Sequence, residues 1–220
     1  MSAAILIDGA YFIKRFRRIE PHNSYNAERM ADMACRYALM HLVEKTIKHP
    51  LYRIFFYDCP PVEKKMHNPI TKRSVDFSKS KEAIFRRELH ERLRRKRKLA
   101  LRLGTLAHAE WALKPNVEID LLKGKRSFEE LTEDDVALDV RQKGVDMRIG
   151  LDISSLTFKK QVNKIVLIAG DADFVPAAKL ARREGIDFVL DPMWLRIPNE
   201  LNEHIDGLRS VCQKPRPRNQ

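Results

Sequence analysis

Lys164-Ile-Val-Leu-Ile-Ala-Gly-Asp-Ala-Asp-Phe174 is the stretch that decides how this chain folds. From Lys164 to Ala169 it is short, apolar and rich in Ile and Val, the composition of a strand buried on both faces of a parallel sheet. Gly170 lets the chain turn tightly where that run stops. Phe174 to Glu184 reads as a helix, with Pro176 accommodated in its first turn. Asp171 and Asp173 therefore fall on a loop beyond the carboxyl end of a strand, where open α/β sheets place their ligand sites. The pattern recurs near the start of the chain, where Ala3-Ala-Ile-Leu-Ile7 is a strand and Asp8-Gly9 follows at once.

Working outward, strands and helices alternate, which predicts a doubly wound, mostly parallel α/β sheet with helices on both faces. A long helix is expected over 27–48, capped by Asn26, with Met30, Met33, Ala34, Tyr37 and Leu42 on its apolar face. Tyr52 to Tyr57 reads as the second strand, ended by Asp58, and Pro60-Pro61 breaks regular structure. Residues 62–80 are polar and irregular. A basic helix is expected from Ser80 to about Lys98, then a third strand over 99–104 continuing toward Trp111. Residues 115–134 read as a surface excursion, and 136–142 fit neither period clearly. A helix is expected from about Lys143 to Phe158, a fifth strand at 188–190, and a last helix over 198–208. The whole is one domain over 1–210, elaborated at about 60–135, with a disordered basic tail over 211–220.

The chain has 220 residues, enough for one domain with a real core. Its net charge of +12 favours a polyanionic partner, nucleic acid being the commonest kind. No apolar run approaches the ~20 residues that span a bilayer, so no membrane is expected. Cys35, Cys59 and Cys212 lie far apart, with neither disulfide-scaffold nor metal spacing, and the histidines are scattered. A reducing, cytoplasmic setting is the simplest reading. Trp111, Trp194 and the 115–134 excursion offer surfaces for self-association.

Three segments bring carboxylates to comparable positions. Asp8 ends the first strand, Asp171 and Asp173 follow the fourth, and Asp146 lies in the first turn of a helix just after Gly144. Doubly wound folds set the first and fourth strands side by side, an arrangement that allows the four to converge. Two carboxylates about 4 Å apart repel by roughly 4 kcal/mol at an effective dielectric near 20, which calls for a positive occupant. A hard divalent cation with oxygen ligands, magnesium or manganese, fits an aspartate-rich cluster better than Lys or Arg does. Each residue also has a purely structural reading: Asp8 as a turn or cap residue, Asp146 complementing a helix dipole, Asp173 as an N-cap. Asp152, six residues after Asp146, would not share its helix face, and it joins Asp58 as a second-tier candidate.

Ile5-Leu-Ile-Asp-Gly-Ala-Tyr11, Lys143-Gly-Val-Asp-Met-Arg-Ile-Gly-Leu-Asp152 and Ile168-Ala-Gly-Asp-Ala-Asp-Phe-Val175 together resemble the NYN domain family, a branch of the PIN-like nucleases, and most of all its bacterial LabA-like members. The resemblance implies a PIN-like fold and metal-dependent ribonuclease chemistry, with Asp8, Asp146, Asp171 and Asp173 at the acidic metal-binding positions. Many members carry an asparagine shortly after the first Asp-Gly, where this chain has Ala10-Tyr11. That departure weakens the expectation of activity.

Two basic segments are candidates for phosphate contact. Lys14, Arg15, Arg17 and Arg18 follow the first acidic motif, and Arg94, Arg95, Lys96, Arg97 and Lys98 form a run uncompensated by acids. Such patches bind nucleic acid in a salt-sensitive, sequence-independent way. The expected reaction is hydrolysis of RNA, with single-stranded DNA as a further substrate class, through metal-activated water and no covalent intermediate. The competing reading is an RNA-binding or regulatory module whose catalytic site is weak or lost. A small-molecule phosphoryl-transfer enzyme using Asp8 as nucleophile leaves the basic helix unexplained. Dinucleotide binding is disfavoured, because no G-x-G-x-x-G follows the first strand.

Overall fold

The structure, a computed structural model, describes residues 2–215. In chain order its elements are β1 (Ala3–Asp8), α1 (Gly9–Ile19), α2 (Ala27–Met40), β2 (Val43–Glu44), β3 (Ile47–Lys48), β4 (Leu51–Asp58), β5 (Lys65–His67), β6 (Ser74–Asp76) and α3 (Lys81–Arg94). There follow β7 (Leu99–Leu103), β8 (Thr105–Leu113), α4 (Pro115–Leu122), β9 (Val136–Lys143), α5 (Val145–Phe158), β10 (Lys164–Ile168), α6 (Val175–Arg183), β11 (Asp187–Asp191), α7 (Asn199–Glu203) and β12 (Gly207–Leu208).

Six strands form one sheet in the order β12-β11-β10-β1-β4-β7, and every pairing is parallel. The order reverses between β1 and β10, which lie in register with Ile7 beside Ile168. That is the switch point, and the loops after both strands open there. Alternate residues of β1 serve different cores. Ala3, Ile5 and Ile7 pack with Phe12, Phe16, Met30, Phe85 and Leu89 from α1, α2 and α3. Ala4 and Leu6 pack with Ile149, Ile153, Ala178 and Ala181 from α5 and α6. Two apolar layers explain why the central strands read as unbroken hydrophobic runs. Among the described residues no helix is long and apolar enough to cross a membrane.

Several boundaries differ from the sequence reading. The helix expected to reach Lys48 stops at Met40, and residues 43–48 form the β2–β3 hairpin instead. Its turn uses Lys45 with φ 51°, and His41 at the helix end is held by Asp191, with Nε2 2.8 Å from Oδ2. The third strand does not run on to Trp111. Gly104 separates β7 from β8, which leaves the sheet to pair antiparallel with β9. A Cβ at Gly104 would lie 2.8 Å from the Lys143 carbonyl and 3.0 Å from Cys59 Sγ, so the close crossing there requires glycine. Residues 136–142, ambiguous by period, belong to strand β9, which is mostly exposed and lacks a buried face to pattern. Residues 9–19, for which the sequence reading gives no element, form α1, and Phe12, Ile13 and Phe16 mark its buried side. Residues 198–208 hold the short α7 and then a sixth strand, β12.

Part of the stretch expected as a tail over 211–220 packs into the fold. Cys212 is buried in the first core, and Trp194 Nε1 donates to its carbonyl at 2.7 Å. Residues 216–220 of that tail lie outside the described residues.

Candidate active site

Asp8 ends β1 and caps α1. Its carboxylate accepts from the Tyr11 N–H at 3.1 Å, an N-cap contact made at the switch point itself. Gly9 is required beside it, because an added Cβ would come within 2.3 Å of the Tyr57 carbonyl. Asp171 follows β10 and caps the turn over 172–174, accepting from the Asp173 N–H at 3.2 Å. Asp146 stands in the first turn of α5, which Gly144 enters in the left-handed conformation at φ 82°. Asp146, Asp171 and Asp173 are exposed, and Asp8 is half-buried.

These carboxylates act on one another. Burial pushes the Asp8 carboxyl up to about 6, with further upward contributions from the charges of Asp146 and Asp58. Asp146 is raised by burial first, then by Asp171 and Asp173. None of the four has an ion-pair partner among the described residues. Equally, no three His, Cys, Asp or Glu side chains among the described residues are close enough together to form a closed metal cage. The donors are all hard oxygens. They fit a cation that takes one or two carboxylates and completes its shell with water and phosphate, the habit of magnesium.

The second-tier acids are already engaged. Asp58 is fully buried at the end of β4, where it pairs with Arg86 and meets His90 Nε2 at 2.8 Å. Both of its oxygens are taken, so it backs the site as a fixed ion pair and is not a free ligand. Asp152 accepts from the Tyr57 hydroxyl at 2.8 Å and pairs with Arg102 at 3.3 Å. Sequence reasoning misses Arg86 and His90 as parts of this region. Their signal is spacing: Glu82, Arg86 and His90 fall at i, i+4 and i+8 on one face of α3.

Several of the basic candidates also change role. Arg15 is buried and donates to the Met193 carbonyl, with Nε at 3.2 Å. Arg17 pairs with Glu82 at 2.7 Å, donates to the Ser24 carbonyl and lies 4.5 Å from the Tyr25 ring centre. Both are structural, because α1 packs that side of itself against its neighbours. Lys14 is exposed and Arg18 half-exposed. Lys96 pairs with Asp32, and Lys98 Nζ donates to the Leu51 carbonyl at 2.6 Å. Arg94, Arg95 and Arg97 keep at least part of their surface in solvent. The whole Arg94–Lys98 run leads into the first residue of β7, so it occupies the amino end of the sheet, opposite the acidic loops.

A parallel sheet with helices on both faces and carboxylates at its switch point is the architecture of a PIN-like domain. The NYN domain family model matches residues 75–193, more than half of the chain, and the chain belongs to that family. Membership gives it a nuclease-type function related to RNA. The matched stretch contains Asp146, Asp171 and Asp173, whereas β1 and Asp8 lie before it. No curated protein matches the chain. A solved structure of a protein of unknown function from Vibrio parahaemolyticus is similar, at 13% identity and a TM-score of 0.47, over 97% of this chain and 94% of that one.

Proposed function

We propose that this protein hydrolyses phosphodiester bonds in RNA with a magnesium or manganese ion held by carboxylates drawn from Asp8, Asp146, Asp171 and Asp173. The observation that supports this most is that the charge of Asp146 raises Asp8 and those of Asp171 and Asp173 raise Asp146, while none of the four has a cationic partner among the described residues, in a chain of net charge +12. When bound, the ion lowers the pKa of a water and offsets charge on the phosphoryl oxygens. The protein's own part is positional. The Tyr11 N–H fixes the Asp8 carboxylate, and the capping contact with the Asp173 N–H fixes that of Asp171. Asp58, Arg86 and His90 hold the end of β4 rigid behind them.

Lys14 and Arg18 are the phosphate contacts nearest in sequence to the acidic loops. Arg94, Arg95 and Arg97 are set back by the length of the sheet, about 20 Å at a strand rise of ~3.3 Å per residue. An RNA strand reaching both would pass around the β7 edge.

The test is cleavage of labelled RNA with manganese, with magnesium and with EDTA. Cutting is expected with either metal, none with EDTA, and none from Asp171→Asn. Metal-dependent cutting that survives in Asp171→Asn overturns the site. The absence of a closed three-ligand cage among the described residues favours one rival, a binding module without catalysis. Retention of RNA on a filter with no cutting in manganese would establish that rival.

A further inference from the structure

We propose that the groove between α3 and the β8–β9 hairpin binds an unstacked base of single-stranded RNA next to the acidic loops. This deepens the nuclease reading and rests on it for the identity of the strand. The groove has a volume of ≈ 390 Å³, within the ~300–1,000 Å³ of small-ligand sites. Its walls are mostly apolar, with Ser80, Arg86, Gln142 and Glu82 supplying polar atoms, the Glu82 carboxylate being held by Arg17 and Arg86.

Both walls run directly into the candidate site. Pro60 is two residues beyond Asp58 at the end of β4, and Gln142 is four residues before Asp146. Leu106 and Gln142 are paired neighbours across the hairpin, so they move as one surface. Arg86 uses Nη1 on Asp58 and Nε on Glu82, which leaves Nη2 without a partner among the described residues. The groove thus combines flat apolar faces with a guanidinium donor and an amide that both donates and accepts. That combination suits a nucleobase, whose faces pack on apolar side chains and whose edges hydrogen-bond. A base can enter only when it has left its stack, so the groove selects single strands. The chain's net charge of +12 favours the flanking phosphates over an uncharged peptide occupant.

The groove has a built-in reporter. Phe77 lines it and packs on Trp111 with ring centres 5.6 Å apart. The chain has two tryptophans, so Trp194→Phe leaves Trp111 as the sole emitter. The experiment uses the full chain carrying Asp171→Asn and Trp194→Phe in EDTA, a labelled five-nucleotide RNA and an RNA duplex. The short RNA is expected to change Trp111 emission and to bind in anisotropy. Val140→Glu should weaken it about tenfold, the scale of removing one base from its packing surface, and leave duplex binding unchanged. Val140 is 37% exposed and Gln142 is exposed, so Val140→Glu and a second variant, Gln142→Leu, should keep the fold, with thermal melting as the control.

Unchanged Trp111 emission, or equal RNA affinity in both variants, overturns the proposal. So does a shift in sedimentation with Val140→Glu, which would make the groove a contact between copies. Cleavage separates the two readings. If the otherwise unaltered protein cuts no RNA in manganese while Val140→Glu still loses the short RNA, the groove stands and the nuclease falls. If Val140→Glu cuts single strands as well as the parent does, the nuclease stands and the groove falls.

Discussion

The ring of Tyr11 occupies the space that any side chain on residue 170 would need. A Cβ at Gly170 would lie 2.6 Å from it, and the Tyr11 hydroxyl donates to the Pro192 carbonyl at 2.7 Å. Tyr11 thereby ties α1 to the loops after β10 and β11, on both sides of the acidic site. Gly170→Ala should displace the ring and break that hydrogen bond, at a cost of about 1–2 kcal/mol. In a Tyr11→Ala background the same change should cost almost nothing. Urea denaturation of the two single variants and the double variant measures the coupling, and additive costs would contradict it.

Asp8 gives a pH-dependent prediction. Its folded-state carboxyl is raised to about 6 from an ordinary 3.8, so the native state binds the proton more tightly than the unfolded chain does. Stability from this group is therefore greatest below about pH 4, falls as pH rises through the window from 3.8 to 6, and stays low above it. The loss is about 3 kcal/mol at 1.36 kcal/mol per pH unit. Asp8→Asn keeps a good N-cap and removes the charge. In EDTA at pH 8 it should be more stable than the parent by up to that amount, and at pH 4 the difference should vanish. A variant less stable than the parent at pH 8 would show that Asp8 already has a cationic partner.

The buried pair behind the site responds differently. Removing Arg86 leaves the fully buried Asp58 with only His90, and stranded buried charges cost about 3–5 kcal/mol. Arg86→Met should approach that loss in chemical denaturation. Adding Asp58→Asn should recover a large part of it, because the charge left without its partner is then gone.

The two basic segments should separate in a salt titration. Arg15→Ala removes donors to the buried Met193 carbonyl, so it should lower the melting temperature. It should not change the salt dependence of RNA binding. Replacing Arg94, Arg95 and Arg97 together by alanine should leave melting nearly unchanged. It should also flatten the plot of log affinity against log salt, by about one unit of slope for each phosphate no longer neutralised. Filter binding over a range of potassium chloride reads this directly.

The architecture is legible in the chain wherever burial is complete. β1 from Ala3 to Ile7 and β10 from Ile165 to Ile168 are apolar because two cores cover them, and the glycine and aspartate that come next mark where the apolar runs end. The parallel sheet and the adjacency of β1 and β10 follow from those runs. What stays hidden depends on contacts far apart in sequence. No local pattern reveals that the His41 end of α2 is fixed by Asp191, or that Gly104 turns the chain out of the sheet. Charge is the most deceptive signal. Arg15 and Arg17 look like a phosphate patch in the sequence, yet α1 turns them into its neighbours. Nothing beside Asp58 in the sequence announces Arg86, whose ion pair removes it from the free acids.

The outermost rung of the sheet is very short. β12 contributes only Gly207 and Leu208, and the backbone beyond them is closed off locally. The Asp206 carboxylate accepts from the Phe188 N–H at 2.9 Å, and the Arg209 N–H donates to the Leu190 carbonyl. Little of the ladder on that flank is left open for a stray strand to join, so this margin should resist the runaway stacking that longer bare margins invite.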